Sequence, residues 1–162
     1  MEKTIEQGHV VLSPAHLLEH WQGHRSLTRR VIEAFPEKEL FEFSIGGMRP
    51  FAELIKEMLA IAEPGLRELV TGEKQELDEH GDFGTTKAAL LEHWDAATEG
   101  INDLWPQLTL EHYSQSRILF GQYEFPVRWH LFYFIDNEIH HRGQAYVYLR
   151  ALGIEPPFFW ER

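Results

Sequence analysis

The sequence predicts an all-α fold, a four-helix bundle with a crossover connection. Four segments repeat their apolar residues at helical spacing, none alternates as a strand would, and the linkers between them are long. The first segment opens at Ser13-Pro14, an N-cap followed by proline at the first helical position, and runs through LLEHWQGHRSLTRRVIEAF to stop before Pro36. A loop containing Gly46-Gly47 leads to the second, PFAELIKEMLAIAEPGLRELVTG. There Phe51, Leu54, Ile55, Met58, Leu59, Ala62, Leu66 and Leu69 share a face, Pro64 is expected to kink the axis, and Gly72 supplies the stop. After the polar GEKQELDEHGDFG, Thr85 or Thr86 caps a third helix with the stripe Leu90, Trp94, Ala97, Ile101, Leu104 and Leu108, whose end Pro106 blurs. The fourth runs from about Pro126 to Leu152, is the most apolar, and is closed by Gly153 ahead of the aromatic tail IEPPFFWER. Linkers of about a dozen residues exceed the roughly 2–8 of an up-and-down bundle, so at least one connection should cross over.

The chain of 162 residues is 43% hydrophobic and 13% aromatic, enough to bury a core, and its length predicts one domain spanning 1–162. A formal charge of −11, with 15 Lys and Arg scattered along the chain, would repel a phosphate backbone and argues against nucleic acid as a partner. The sequence has no cysteine, which excludes disulfides, thiolate metal ligands and a cysteine nucleophile and leaves the ten histidines and the carboxylates as ligands. The amino-terminal MEKTIEQGHVV has no apolar signal core and no run approaches the roughly 18 apolar residues of a membrane span, so a cytoplasmic protein is expected. There is no P-loop, no GxGxxG after a strand and no GxSxG, so nucleotide and serine-hydrolase chemistries have no support.

The informative stretch is DNEIHHRGQ, residues 136–144. On a helix, His130, Phe134, Asn137, His141, Gln144 and Tyr148 fall on one stripe, a polar line through an otherwise apolar segment. Burying such groups unpartnered costs roughly 1–3 kcal/mol each, so they must satisfy one another, meet a polar group from another helix, hold water or bind something. His140 lies on the flank, and Glu138 with Arg142 reads as an ordinary (i, i+4) pair, solvent-facing or between helices. Glu57, on the second helix, stands between Leu54 and Ile61 with no cation four residues away on either side. It either wants a counter-charge from outside its helix, a metal ion or a protonated histidine, or sits in solvent on a slightly rotated helix. His16, His20 and His24 repeat at i, i+4, i+8 but span about 12 Å, so at most two could share an ion.

NEIHHRGQ with AYVYLRALGIEPPFFWER, GGMRPFAELIKEML and HWQGHRSLTRR together resemble the DinB/YfiT-like superfamily over most of the chain. The resemblance implies a four-helix bundle with a long crossover, commonly a homodimer. It also implies a divalent metal, often zinc or nickel, on three histidines, one from the second helix and two from an HxxxH pair on the fourth. Characterised relatives include metal-dependent thiol transferases and isomerases. Carried over position by position, the ligand set here is Glu57, Asn137 and His141, with two of three histidines replaced. So oxygen-rich a set should weaken zinc binding and shift preference towards manganese, iron or magnesium. His130 or His20 could stand in as a third ligand. Two functions follow. One is a metal-dependent enzyme of thiol-transferase or hydrolase type acting on a small molecule. The other is a metal-free, non-enzymatic dimeric bundle that keeps the pocket for a small ligand or a polar core. The tail aromatics Phe158, Phe159 and Trp160 should pack on the bundle or on a second subunit.

Overall fold

The structure is a computed structural model that describes residues 12–162; the amino-terminal segment read above for a signal core, residues 1–11, lies outside the described residues. Four long helices form the bundle: α1 (Pro14–Ala34), α3 (Phe51–Thr71), α4 (Lys87–Leu104) and α6 (Val127–Ala151). Two short helices, α2 (Glu37–Glu42) and α5 (Leu110–Ser114), and a hairpin of β1 (Ser116–Leu119) with β2 (Tyr123–Pro126) fill the connections. The predicted ends hold. Ser13 Oγ accepts from His16 N at 3.1 Å, and of the two threonines offered as caps Thr86 is the one used, accepting from Ala89 N. Gly72 and Gly153 take the left-handed conformation, with φ of 74° and 75°, that ends α3 and α6.

Two expectations are corrected. Leu108 lies beyond α4, because Pro106 turns the chain into a short 3₁₀ segment over Trp105–Gln107. The α4–α6 linker carries the hairpin, although no strand was expected there. Each strand is only four residues long, and the ladder closes through Phe120–Gln122 with Leu119 opposite Tyr123. So short an alternation is hard to tell from loop. Phe120 takes φ of 53°, and its N–H is held by the Glu68 carboxylate of α3 at 3.1 Å, which pins the turn to the bundle. Of the two settings read for Glu138 and Arg142, the structure has the one between helices, with the residues 2% and 5% exposed.

Helix α1 packs against α4 and α6, and α3 packs against the same two. The long helices therefore follow one another round the bundle as α1, α4, α3, α6, and the α1–α3 and α4–α6 connections run across it, as the linker lengths implied. The core has two apolar clusters. One gathers Trp21, Leu66, Ile101, Leu131 and Phe134; the other gathers Val31, Phe51, Ile55, Trp94, Tyr148 and Leu149. On three of the long helices a polar residue falls between the two, Arg25 and Thr28 on α1, Thr98 on α4, and Glu138, His141 and Arg142 on α6, while on α3 Glu57 lies among residues of the second cluster, between Ile55 and Met58. A polar layer thus crosses the middle of the bundle. Among the described residues no helix is long and apolar enough to cross a membrane.

Candidate functional site

The polar layer has two faces. On the α1/α4/α6 side, the Glu138 carboxylate accepts from Thr28 Oγ1 at 2.6 Å and lies 3.7 Å from Arg142 Nη1 and 3.8 Å from Arg25 Nη1. Arg25 also donates to Thr98 Oγ1 and to the Trp94 carbonyl, and its guanidinium stacks 3.6 Å over the Trp94 ring. Burial pushes the Glu138 carboxyl up, and Arg25, Thr28 and Arg142 act against that rise. His24 Nδ1 meets Arg142 Nη2 at 2.8 Å, and its Nε2 lies 2.9 Å from Arg162 Nη1 and 3.2 Å from His20 Nε2. Burial first, then the neighbouring Arg142, His20 and Arg162, lower its pKa to about 3. These groups hold α1, α4 and α6 together, although Arg25 Nη1 and Glu138 Oε2, 3.8 Å apart, are both buried without a hydrogen-bond partner.

On the α3/α6 side, His141 Nε2 lies 2.9 Å from Glu57 Oε1, with side chains only 7% and 13% exposed. Glu57 Oε2 is hydrogen-bonded by Arg49, which stands just before Pro50 and α3. Tyr148 holds that approach by donating to the Arg49 carbonyl at 3.0 Å. His141 Nδ1 faces Gln144 Oε1 at 3.0 Å, and Gln144 Nε2 reaches Met48 Sδ at 3.8 Å. Burial pushes the Glu57 carboxyl up, but the bonds from Arg49 and His141 outweigh it and hold the carboxyl below its ordinary value. Asn137 is buried one turn before His141, and its amide makes no hydrogen bond among the described residues. The stripe read from sequence is therefore real: His130, Phe134, Asn137, His141 and Tyr148 are all buried.

The structure joins Glu57 to His141 and leaves Asn137 beside them without a partner. It does not bring the other histidines in. His130 Nε2 donates to the Arg117 carbonyl at 3.0 Å, His20 pairs with His24, and His16 is exposed. Sequence reasoning missed Arg49, although eight residues before Glu57 is two helical turns, within reach of a long side chain. Among the described residues no three His, Asp or Glu converge. A divalent ion would have Glu57 and His141, whose facing atoms are as close as two ligands of one ion, and the free amide oxygen of Asn137. Glu57 and His141 would supply one carboxylate and one imidazole to such an ion, and Arg49 on the distal carboxylate oxygen is the feature that opposes it.

Beyond this centre, a cavity of about 420 Å³ opens between α6, the hairpin and the segment following α3, lined by Tyr123, Phe125, Trp129, Tyr133, Phe134 and Ile61 among others. Tyr133 connects the two. Its hydroxyl pKa is raised by burial and by the charges of Glu57, Tyr123 and Glu79. The sign of this cavity in the sequence was that α6 is apolar on more than one face, with Trp129, Phe132 and Tyr133 outside the stripe.

The tail turns back on α1. Arg162 packs against Gly23, and Arg30 hydrogen-bonds the Glu161 carbonyl. Its aromatics stay outside, with Phe158, Phe159 and Trp160 47%, 67% and 61% exposed.

The chain matches the DinB family over residues 1–161. A crystal structure of a DinB-like protein from Bacillus subtilis superposes with a TM-score of 0.70 at 23% identity, over 90% of this chain and 99% of that one. A DinB-like protein from Bacillus cereus does so with a TM-score of 0.69 at 16% identity, over 90% and 97%. No curated protein matches. With the bundle, its crossover order and the polar pair between α3 and α6 in place, the match over nearly the whole chain settles the family: this protein belongs to the DinB family.

Proposed function

We propose that this protein handles a small molecule at the α3/α6 centre, using a divalent ion held by Glu57, His141 and Asn137 as the activating group. The supporting observation is the 2.9 Å approach of His141 Nε2 to Glu57 Oε1, with Asn137 one turn earlier on α6 making no side-chain hydrogen bond among the described residues. When bound, such an ion lowers the pKa of a coordinated water or thiol, the chemistry of thiol transferases and hydrolases. The protein's own residues do the rest. Gln144 fixes the His141 ring, and Arg49 and Tyr148 fix the approach to α3. Restoring imidazoles tests the alignment: Glu57→His with Asn137→His should bind zinc or nickel at least about ten-fold more tightly than the wild type in a competition titration. No gain in affinity would show that these positions do not face one ion.

A second reading has its own observation. Arg49 and His141 together give the Glu57 carboxylate a donor on each oxygen, which makes a closed, metal-free polar core. In that case the neighbouring cavity holds a ligand without chemistry. The exposed tail aromatics support a homodimer in either case.

A further inference from the structure

The cavity between α6 and the hairpin has a chemical character that the Glu57–His141 centre does not explain. Its rim is aromatic: Tyr123, Phe125, Trp129 and Tyr133 line it while remaining 47%, 53%, 56% and 51% exposed. Phe120 and Phe134, both buried, belong to the same lining. Its charged groups are carboxylates. Glu79 and Asp136 line it and enter no ion pair among the described residues. His130, 4% exposed, donates Nε2–H to the Arg117 carbonyl. Among the described residues no lysine or arginine lines the cavity; Lys74 sits over Gly121 at the hairpin turn, outside the lining.

Aromatic faces and unneutralised carboxylates around one apolar space are complementary to an organic cation and repel an anion of the same shape. The volume of about 420 Å³ falls in the range of small-ligand pockets. We propose that this cavity binds a small amphiphilic cation, an amine or quaternary ammonium with an aromatic or branched apolar body. The body fills the space above Phe120, Phe134 and Ile61. The cationic head rests against the faces of Trp129 and Tyr133, within reach of Glu79 and Asp136. The net charge of −11 adds a favourable long-range field for such a ligand.

The inference needs no metal, so the test uses the full chain stripped of metal, and its failure leaves the reading of the Glu57–His141 centre untouched. Benzyltrimethylammonium and the similarly sized anion 3-phenylpropionate are titrated by calorimetry. The ammonium should bind at least about ten-fold more tightly. The double variant Glu79→Gln with Asp136→Asn, and separately Tyr133→Leu, should each weaken it by about three- to ten-fold with unchanged circular dichroism. Equal affinity for the two probes, or no ammonium binding up to about 10 mM, would overturn the proposal. So would a dimer by light scattering that Trp129→Glu converts to monomer, since the face would then be covered by a second copy.

Discussion

His141 Nε2 and Glu57 Oε1 stand 2.9 Å apart and tie α6 to α3 across 84 positions of sequence. Because both side chains are nearly buried, a charge-assisted bond here is worth more than a surface pair, although Glu57 keeps Arg49 and His141 keeps Gln144 when the other is removed. A double-mutant cycle with Glu57→Gln and His141→Gln, read by urea unfolding, should return a coupling energy of about 1–2 kcal/mol. Arg49→Ala should cost less, because the Arg49 side chain is half-exposed.

Glu138 is the counter-charge for two buried arginines. Glu138→Ala leaves Arg25 and Arg142 facing each other without it and should destabilise the fold by about 3–5 kcal/mol in chemical denaturation. A cost below about 1 kcal/mol would mean the carboxylate is not the centre of this layer.

The bundle's acid sensitivity should run through His24. The unfolded chain protonates this ring near 6.5, whereas the folded chain resists until about 3. Between those values the unfolded state binds more protons, so stability falls as the pH drops through that window. The loss from neutral pH to about pH 4 should be on the order of 2–3 kcal/mol, and His24→Gln should flatten it when unfolding free energies of both chains are compared across that range.

Gly65 marks where α3 meets α6. A Cβ there would lie 2.6 Å from Phe134 Cζ and 3.0 Å from Cε1, and Phe134 is buried and stacked on Trp21 with centroids 6.0 Å apart, so the ring would have to leave that stacking and shift towards the cavity it lines. Gly65→Ala should therefore lower stability by about 2 kcal/mol, seen as a reduced urea midpoint with an unchanged slope, although alanine is the better helix former.

The long helices were legible because their caps and their 3.6-residue periodicity are local properties of the chain. Ser13, Thr86, Gly72 and Gly153 act where the sequence places them. The hairpin was not legible, since four-residue strands carry too little alternation and the turn is held by Glu68, distant in sequence. At the centre, the line from Asn137 to His141 could be read from spacing on one helix, and Glu57 from the lack of a local counter-charge. The environment of Glu138 could not. Its burial depends on Arg25 and Thr28 arriving from α1, and an (i, i+4) acid–base pair looks the same in solvent and in a core. The aromatic cavity needed the fold as well, because its walls come from α6, the hairpin and the segment after α3.

The direct test of the central claim is the metal content of the purified, untagged full chain by plasma mass spectrometry, after incubation with manganese, iron, nickel or zinc, with His141→Ala treated in parallel. The account predicts near-stoichiometric divalent metal in the wild type, with manganese or iron retained in preference to zinc relative to a three-histidine site, and its loss in the variant. A wild-type chain that retains no metal under any of these conditions, or a variant that keeps as much as the wild type, would contradict an ion at Glu57, Asn137 and His141.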